Sequence, residues 1–147
     1  MSCQARKGPF KNNITGYRPD IQYGKSTIQQ KVTNMQAENI ALMCHELNKV
    51  YCKMLGDDSQ VPWDALCAEM RNSLVDAVKY CMVNDPTPKE SHENWMEVRT
   101  EQGWIFGSKK CGIKKTHPCL VAYDKLTQEH KVKDVMFICM VKMLSSK

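Results

Sequence analysis

Residues 92–123 read HENWMEVRTEQGWIFGSKKCGIKKTHPCLVAY, and this stretch decides how the rest of the chain is interpreted. Its first part carries Trp95 and Val98 at the three-residue spacing of one helix side. Its second part places two glycines and a proline among short apolar pieces, without a regular period. We therefore expect a helix that ends near Gly103, followed by an irregular loop or short hairpin over Trp104–Tyr123.

Helix signals lie on both sides of this stretch. Before it, the segment Thr87–Glu90 combines a capping threonine, a proline at the first helical position and a glutamate at the third. After it, Leu126 and Thr127 open a last helix that runs through Leu144. The inward side of that last helix is predicted to contain Val132, Val135, Met136, Cys139 and Met143.

Two more helices are predicted upstream. Helix one should run from about Thr27 to Leu55, with Gly56 in the position of a C-terminal cap. Its apolar side contains Ala37, Ile40, Ala41, Cys44, Leu47, Tyr51, Met54 and Leu55. Helix two should begin with Pro62 in its first turn and stop before Asn84. Its buried side is predicted to contain Trp63, Leu66, Cys67, Met70, Leu74, Ala77, Val78 and Cys81.

Residues 1–28 mix glycine and proline with polar and aromatic residues, and no helical or strand period survives there. We predict an extended arm that docks on its own domain or on a neighbouring copy, because it contains Phe10, Tyr17, Ile21 and Tyr23. The fold class is therefore mainly α. About four helices, with the irregular loop or hairpin before the last one, form a small domain over residues 29–147.

Positive charge is concentrated near the C-terminus. The chain has a formal net charge of +5, and residues 109–147 hold nine lysines against three acidic residues. A localised basic segment indicates an anionic partner, such as a phosphate-bearing small molecule, a nucleic acid or a membrane surface. A solvated helix face explains the same composition equally well. Direct nucleic-acid binding is disfavoured because acidic residues interrupt the segment.

The eight cysteines form no C-x-x-C pair, and no histidine lies at zinc-ligand spacing from them. Several cysteines fall on apolar helix sides, which is typical of reduced thiols in a cytoplasmic protein. No apolar run approaches the length of about 18 residues that spans a bilayer. We expect no metal, no other cofactor and no membrane association.

Four short motifs follow one another in the second half of the chain: His92–Trp95, Gly103–Gly107, Lys115–Tyr123 and Lys131–Asp134. In this order they resemble the pattern of the ryanodine-receptor repeat domain family. Upstream, Cys44–Asn48, Leu55–Gln60 and Trp63 resemble stand-alone bacterial and phage versions of the domain. The resemblance covers about residues 38–140. Three positions depart from the pattern, because Phe106 replaces a tyrosine, Ala122 replaces a proline and Cys111 lies near a commonly acidic position.

The resemblance implies a mainly helical regulatory module that is not an enzyme. Bacterial and phage members are associated with sensing nucleotide signals of antiviral defence, such as cyclic ADP-ribose-like molecules and cyclic di- or oligonucleotides. A free-standing member is expected to act as a sponge that sequesters the signal, in the host cytoplasm if a phage encodes it. The alternative is a protein-interaction or structural module without a small-molecule ligand.

Candidate ligand-binding residues follow from the chemistry of a nucleotide. Bases stack on aromatic side chains, and phosphates bind Lys, Arg or backbone N–H groups. The loop supplies both types of residue close together, and the flanking helices complete a cleft. The predicted ligand-binding residues are Asn48, Trp63, Arg71, His92, Trp95, Trp104, Phe106, Lys109, Lys115, His117 and Tyr123.

Each candidate also has a purely structural interpretation. Trp95 and Trp104 are typical of core anchors, and His92 is typical of a structural hydrogen bond. The lysines are typical of solvated surface. No nucleophile, base and orienting group can be assembled from the sequence, so an enzyme that cleaves the signal is disfavoured. We also expect a homo-oligomer, a dimer or higher, with the arm crossing the interface.

Overall fold

The computed structural model describes residues 27–146, and within this range the chain forms four α-helices. They are α1 (Thr27–Met54), α2 (Ala68–Asn84), α3 (Pro88–Glu101) and α4 (Gln128–Ser145). The predicted mainly α class is confirmed. The predicted docking of the N-terminal arm concerns residues 1–28, and all of these except the last two lie outside the described range. Those last two residues already belong to α1.

Helices α1, α2 and α4 pack around one apolar core. Two hydrogen bonds show that α1 and α4 are antiparallel, because Gln36 Nε2 donates to Leu144 O at 3.4 Å and Tyr51 Oη donates to Glu129 O at 3.4 Å. The centre of this core consists of Ala37, Ile40, Ala41, Cys44, Trp63, Val78, Cys81, Ile138 and Val141. Helix α3 packs mainly on α4, which leaves space between α3 and the other helices.

The helix ends follow from local chemistry. Thr87 caps α3 in the predicted capping box, since its side chain accepts from Glu90 N while the Glu90 carboxylate accepts from Thr87 N at 2.8 Å. Gly56 follows α1 with φ +82°, a left-handed conformation that glycine adopts without steric cost. Both ends were predicted from the sequence.

The predicted start of helix two is wrong. Pro62 instead precedes a separate short 3₁₀ turn, Trp63–Ala65. Leu66 and Cys67 then adopt extended backbone, and α2 begins only at Ala68. Trp63 is buried as predicted, whereas Cys67 is exposed.

The predicted inward sides of α1 and α4 are partly wrong. In α4, Val135, Cys139 and Met143 are exposed, whereas Ile138 and Val141 are buried. Residues 135–141 form one continuous apolar run, so the helical period fits more than one side and only packing selects among them. Near the end of α1, likewise, Leu47 and Met54 are exposed, as is Leu55 just after the helix. His45 and Cys52, which were not predicted to face inward, are buried.

The loop between α3 and α4 is irregular, as predicted. It contains two-residue strands, β1 (Ile105–Phe106) and β2 (Thr116–His117), which pair in parallel rather than as a hairpin. A short 3₁₀ turn, Tyr123–Lys125, precedes α4. Among the described residues, no helix has the length and apolar character needed to cross a membrane.

Candidate functional site

A cavity of about 540 Å³ lies between the helices and the loop. Its size falls in the range of about 300–1,000 Å³ typical of small-molecule sites. The lining combines an apolar side, which includes Leu74 and Met140, with a polar side built from α3, α4 and the loop. Five predicted ligand-binding residues line it, namely Asn48, His92, Trp95, Trp104 and His117.

Aromatic rings form a continuous wall on the polar side. The ring of His117 meets Trp95 edge-on at a centroid distance of 5.1 Å and Trp104 at 6.5 Å. His92 continues the wall on the other side of Trp95 at 5.5 Å. These residues come from α3, from the start of the loop and from β2, so the paired strands β1 and β2 bring the wall together.

His92 is held at both ring nitrogens, which matches its structural interpretation. Its Nε2 lies 2.9 Å from Val121 O, and its Nδ1 lies 3.3 Å from Asp134 Oδ2. Burial alone lowers the pKa of His92, but Asp134 and the Val121 carbonyl outweigh it, so the pKa lies above its ordinary value. His92 therefore ties α3 to the loop and to α4, and fixes the end of the aromatic wall.

Three cationic residues line the cavity near this wall: Arg99 on α3, Lys110 on the loop and Lys133 on α4. The Arg99 guanidinium lies 5.5 Å from the centroid of Trp104. The predicted ligand-binding residues did not include these three. Two of them could have been predicted from the sequence. Arg99 lies four residues after Trp95 on the same helix side, and Lys133 adjoins Asp134 in the family pattern.

The cationic residues act on His117. Burial first, and then the positive charges of Lys110 and Arg99, lower the pKa of His117 to about 4. His117 is therefore neutral at pH 7, and its Nδ1 accepts a hydrogen bond from Cys119 N at 3.1 Å. Its Nε2 carries the ring proton in that tautomer and is left as the donor.

The other predicted residues lie elsewhere. Trp63 is a core residue that packs on His45, and Lys115 Nζ donates to Gln102 O at 2.8 Å, which ties the loop to the end of α3. Phe106 is 59% exposed. Tyr123 contacts His92 from outside the cavity, at a centroid distance of 5.8 Å. The predicted residues that do not line the cavity are Trp63, Arg71, Phe106, Lys109, Lys115 and Tyr123.

The thiols at the cavity are weak nucleophiles. Burial raises the pKa of Cys119 to about 11 and that of Cys44 to about 12, so both are protonated at neutral pH. Within residues 27–146, no group of three or more His, Cys, Asp or Glu side chains is arranged to hold a metal ion. The arrangement suits reversible binding of a flat, anionic molecule.

A comparison with protein families finds a match over the second half of the chain. The family model described as RyR domain matches residues 70–145, which is more than half of the chain. The matched range includes α3, the loop and α4, and therefore the aromatic wall and all three cationic residues.

Proposed function

The chain belongs to the RyR domain family, and from this premise we propose that it is a non-enzymatic binding module for a nucleotide-derived small molecule. The ligand occupies the cavity between α3, α4, the loop and the helical core. More specifically, the protein acts as a phage-type sponge. It sequesters a host antiviral signal of the cyclic ADP-ribose-like or cyclic oligonucleotide class.

One observation carries this proposal: the aromatic wall of Trp95, His117 and Trp104 faces a cavity that also contains cationic side chains. Stacking of a base on an aromatic side chain contributes about 1–3 kcal/mol in single-strand binders. Cationic side chains next to such a wall supply charge-assisted hydrogen bonds to phosphate oxygens. A nucleotide combines both chemical features in one molecule.

Binding without turnover is supported by the protonation of the cavity groups. Cys119 is a thiol rather than a thiolate, and His117 at neutral pH has its Nδ1 engaged by Cys119 N. Covalent catalysis requires an activated nucleophile beside a free base, and neither of these groups supplies one. A ligand that enters the cavity should therefore leave it chemically unchanged.

The test is isothermal titration calorimetry of the full chain with cyclic ADP-ribose, cyclic di-AMP and linear adenine nucleotides. We expect at least one of them to bind and to be recovered intact by chromatography. Trp104→Ala should weaken binding about tenfold or more. Phe106→Ala is the matched control, because it removes an exposed aromatic residue from the same loop without changing the cavity lining.

Three outcomes would refute the proposal. The first is a folded protein that binds no member of this panel. The second is recovery of degraded ligand only, which indicates an enzyme. The third is an equal loss of affinity in the Trp104→Ala and Phe106→Ala variants, since the aromatic wall would then have no special role.

A second candidate function, as a protein-interaction module, is favoured by an exposed apolar stripe on α1. The stripe lies opposite the core-facing side of the helix and consists of Val32, Met35, Met43, Val50 and Met54. Exposed apolar surface of this kind is typical of protein interfaces. This candidate assigns the stripe to a second copy of the chain and requires no small-molecule ligand.

Light scattering tests the second candidate. The wild-type chain should have the mass of a dimer or larger assembly, and Val50→Glu should shift it toward a monomer. Asn72→Glu, at an exposed position on α2, is the charge-matched control and should leave the mass unchanged. A monomeric wild-type chain would contradict this candidate without affecting the ligand-binding proposal.

A further inference from the structure

We propose that Arg99, Lys110 and Lys133 form an anion subsite that binds the phosphate groups of the ligand, and that this ligand carries two or more negative charges. A diphosphate or a pair of phosphodiesters meets that requirement. The inference rests on the proposed function, because it assigns the charged part of the ligand within the same cavity. It also moves the phosphate contacts away from Lys109 and Lys115, the lysines predicted from the sequence.

Arg99 is the fixed member of this subsite. Its Nη1 donates to Gln102 Oε1 at 3.0 Å, its Nη2 lies 3.5 Å from Ser73 Oγ, and its guanidinium packs over the Trp104 ring. These neutral contacts hold the plane of the guanidinium in place without neutralising its charge. An arginine held in this way is preorganised for a planar contact with phosphate oxygens.

The two lysines reach the cavity from different elements, Lys110 from the loop and Lys133 from α4. Burial, and next the charge of Arg99, lower the pKa of Lys110, and the charge of Lys133 acts in the same direction. Lys110 is an exposed loop residue overall, yet it also lines the cavity. All three cationic residues line the same cavity as His117, and the charge of each lowers the pKa of that histidine.

The positive charge of this cluster is not neutralised by direct ion pairs. None of the salt bridges among residues 27–146 involves Arg99, Lys110 or Lys133. Three acidic residues, Asp57, Asp76 and Asp134, also line the cavity, and each has another partner. Asp134 pairs with His92 at 3.3 Å, and Asp76 lies 4.0 Å from Lys79.

Asp57, which lines the cavity, and Glu69 act on the cluster through their negative charge. Asp57 accepts from Ser59 N at 2.9 Å and favours the charged form of Lys110, while Glu69 does the same for Arg99. Neither residue forms an ion pair with the three cationic residues. Because neighbouring like charges repel one another, an anion that contacts all three removes an unfavourable interaction and adds favourable ones.

Inorganic pyrophosphate is the probe that isolates this subsite, since it has the charge of the ligand without a base. Calorimetry of the full chain at low salt should show one pyrophosphate per chain. Its affinity should exceed that of inorganic phosphate about tenfold or more. The affinity should also fall as salt is added, because the contacts are ionic.

Neighbouring lysines provide matched controls. Lys110→Gln and Lys133→Gln should each weaken pyrophosphate binding about fivefold or more. Lys109→Gln and Lys131→Gln remove the same charge from residues that do not line the cavity, and binding should change by less than about twofold. Arg99 is left intact in these variants, since its contacts to Ser73 and Gln102 also support the fold.

The outcomes separate this inference from the proposed function. Pyrophosphate that binds no better than phosphate, or an equal loss in the control variants, would overturn the subsite. Nucleotide binding that survives both Lys110→Gln and Lys133→Gln would also overturn it and leave the proposed function standing. Pyrophosphate binding with the expected variant pattern, but without binding of any nucleotide, would support the subsite and refute the nucleotide ligand.

Discussion

His92 shows how one residue of the sequence pattern supports the whole site. It lies three residues before Trp95, so both rings face the same side of α3. Its two nitrogens contact a loop carbonyl and the Asp134 carboxylate, which come from segments about 30 and 40 residues away. The histidine is buried, so loss of its contacts would leave polar groups unsatisfied.

His92→Gln should reduce the free energy of unfolding by about 3 kcal/mol at low pH, the scale of breaking a buried ion pair. The folded-state pKa of His92 lies above the unfolded value of about 6.5. The stabilisation is therefore complete below about pH 6.5 and is lost as the pH rises through the folded-state pKa.

Denaturation of both proteins across the pH range measures this effect. The difference in stability between the wild type and His92→Gln should become smaller from about pH 5 to about pH 9. His117 and His130 have lowered pKa values, so their effect on stability has the opposite pH dependence to that of His92. Both proteins contain these two histidines, and comparing the two proteins therefore isolates the contribution of His92. A difference that grows with pH would contradict the assignment.

The loop is the element that brings distant residues together. Its paired strands bring Gly107 against Thr116, and a Cβ atom at Gly107 would lie 2.6 Å from the Thr116 Cβ. The Thr116 hydroxyl also donates to Lys109 O at 2.9 Å, which holds the turn that carries Lys110. Gly107 is thus required because the Thr116 side chain lies where a Cβ atom would be.

Gly107→Ala should destabilise the domain by about 1–3 kcal/mol, because the added methyl group forces the strands apart. It should also weaken pyrophosphate binding, since Lys110 and His117 would move. Gly112→Ala is the matched control, as a Cβ atom there meets nothing within 4 Å. Thermal denaturation should show a clear decrease for the first variant only, and equal effects would contradict the strand contact.

At the scale of the whole molecule, the bundle of α1, α2 and α4 acts as a support for α3 and the loop. The bundle contributes apolar lining residues such as Leu74 and Met140, and the aromatic and cationic lining comes from α3, the loop and the start of α4. An anionic ligand is therefore expected to contact this second part of the cavity. Protonation of His117 should then be coupled to binding.

Binding of an anion should raise the pKa of His117 from about 4 toward its ordinary value, because the ligand neutralises the adjacent cationic residues. Affinity should consequently increase as the pH falls from about 7.5 to about 5. Cyclic di-AMP is a suitable probe because its phosphodiesters remain ionised over this range. The increase should be smaller in His117→Gln, and an affinity that falls with decreasing pH would contradict the coupling.

The sequence predicted local features better than packed ones. The capping box at Thr87, the glycine after α1 and the irregular loop each depend on interactions within a few residues, and all three are confirmed. The predicted sides of helices were less accurate. Val135 and Cys139 are exposed because α4 has apolar residues on more than one side, and the neighbouring helices determine which side is covered.

By itself, the sequence determined the helical class and the helix ends set by capping, and it grouped His92, Trp95, Trp104 and His117, which line one cavity. Those features follow from local chemistry and from a pattern of conspicuous residue types. Only the tertiary structure decided that Arg99, Lys110 and Lys133 lie around one cavity and that Phe106 and Lys115 do not line it. The reason is physical, because the direction of a side chain depends on packing between segments distant in the chain.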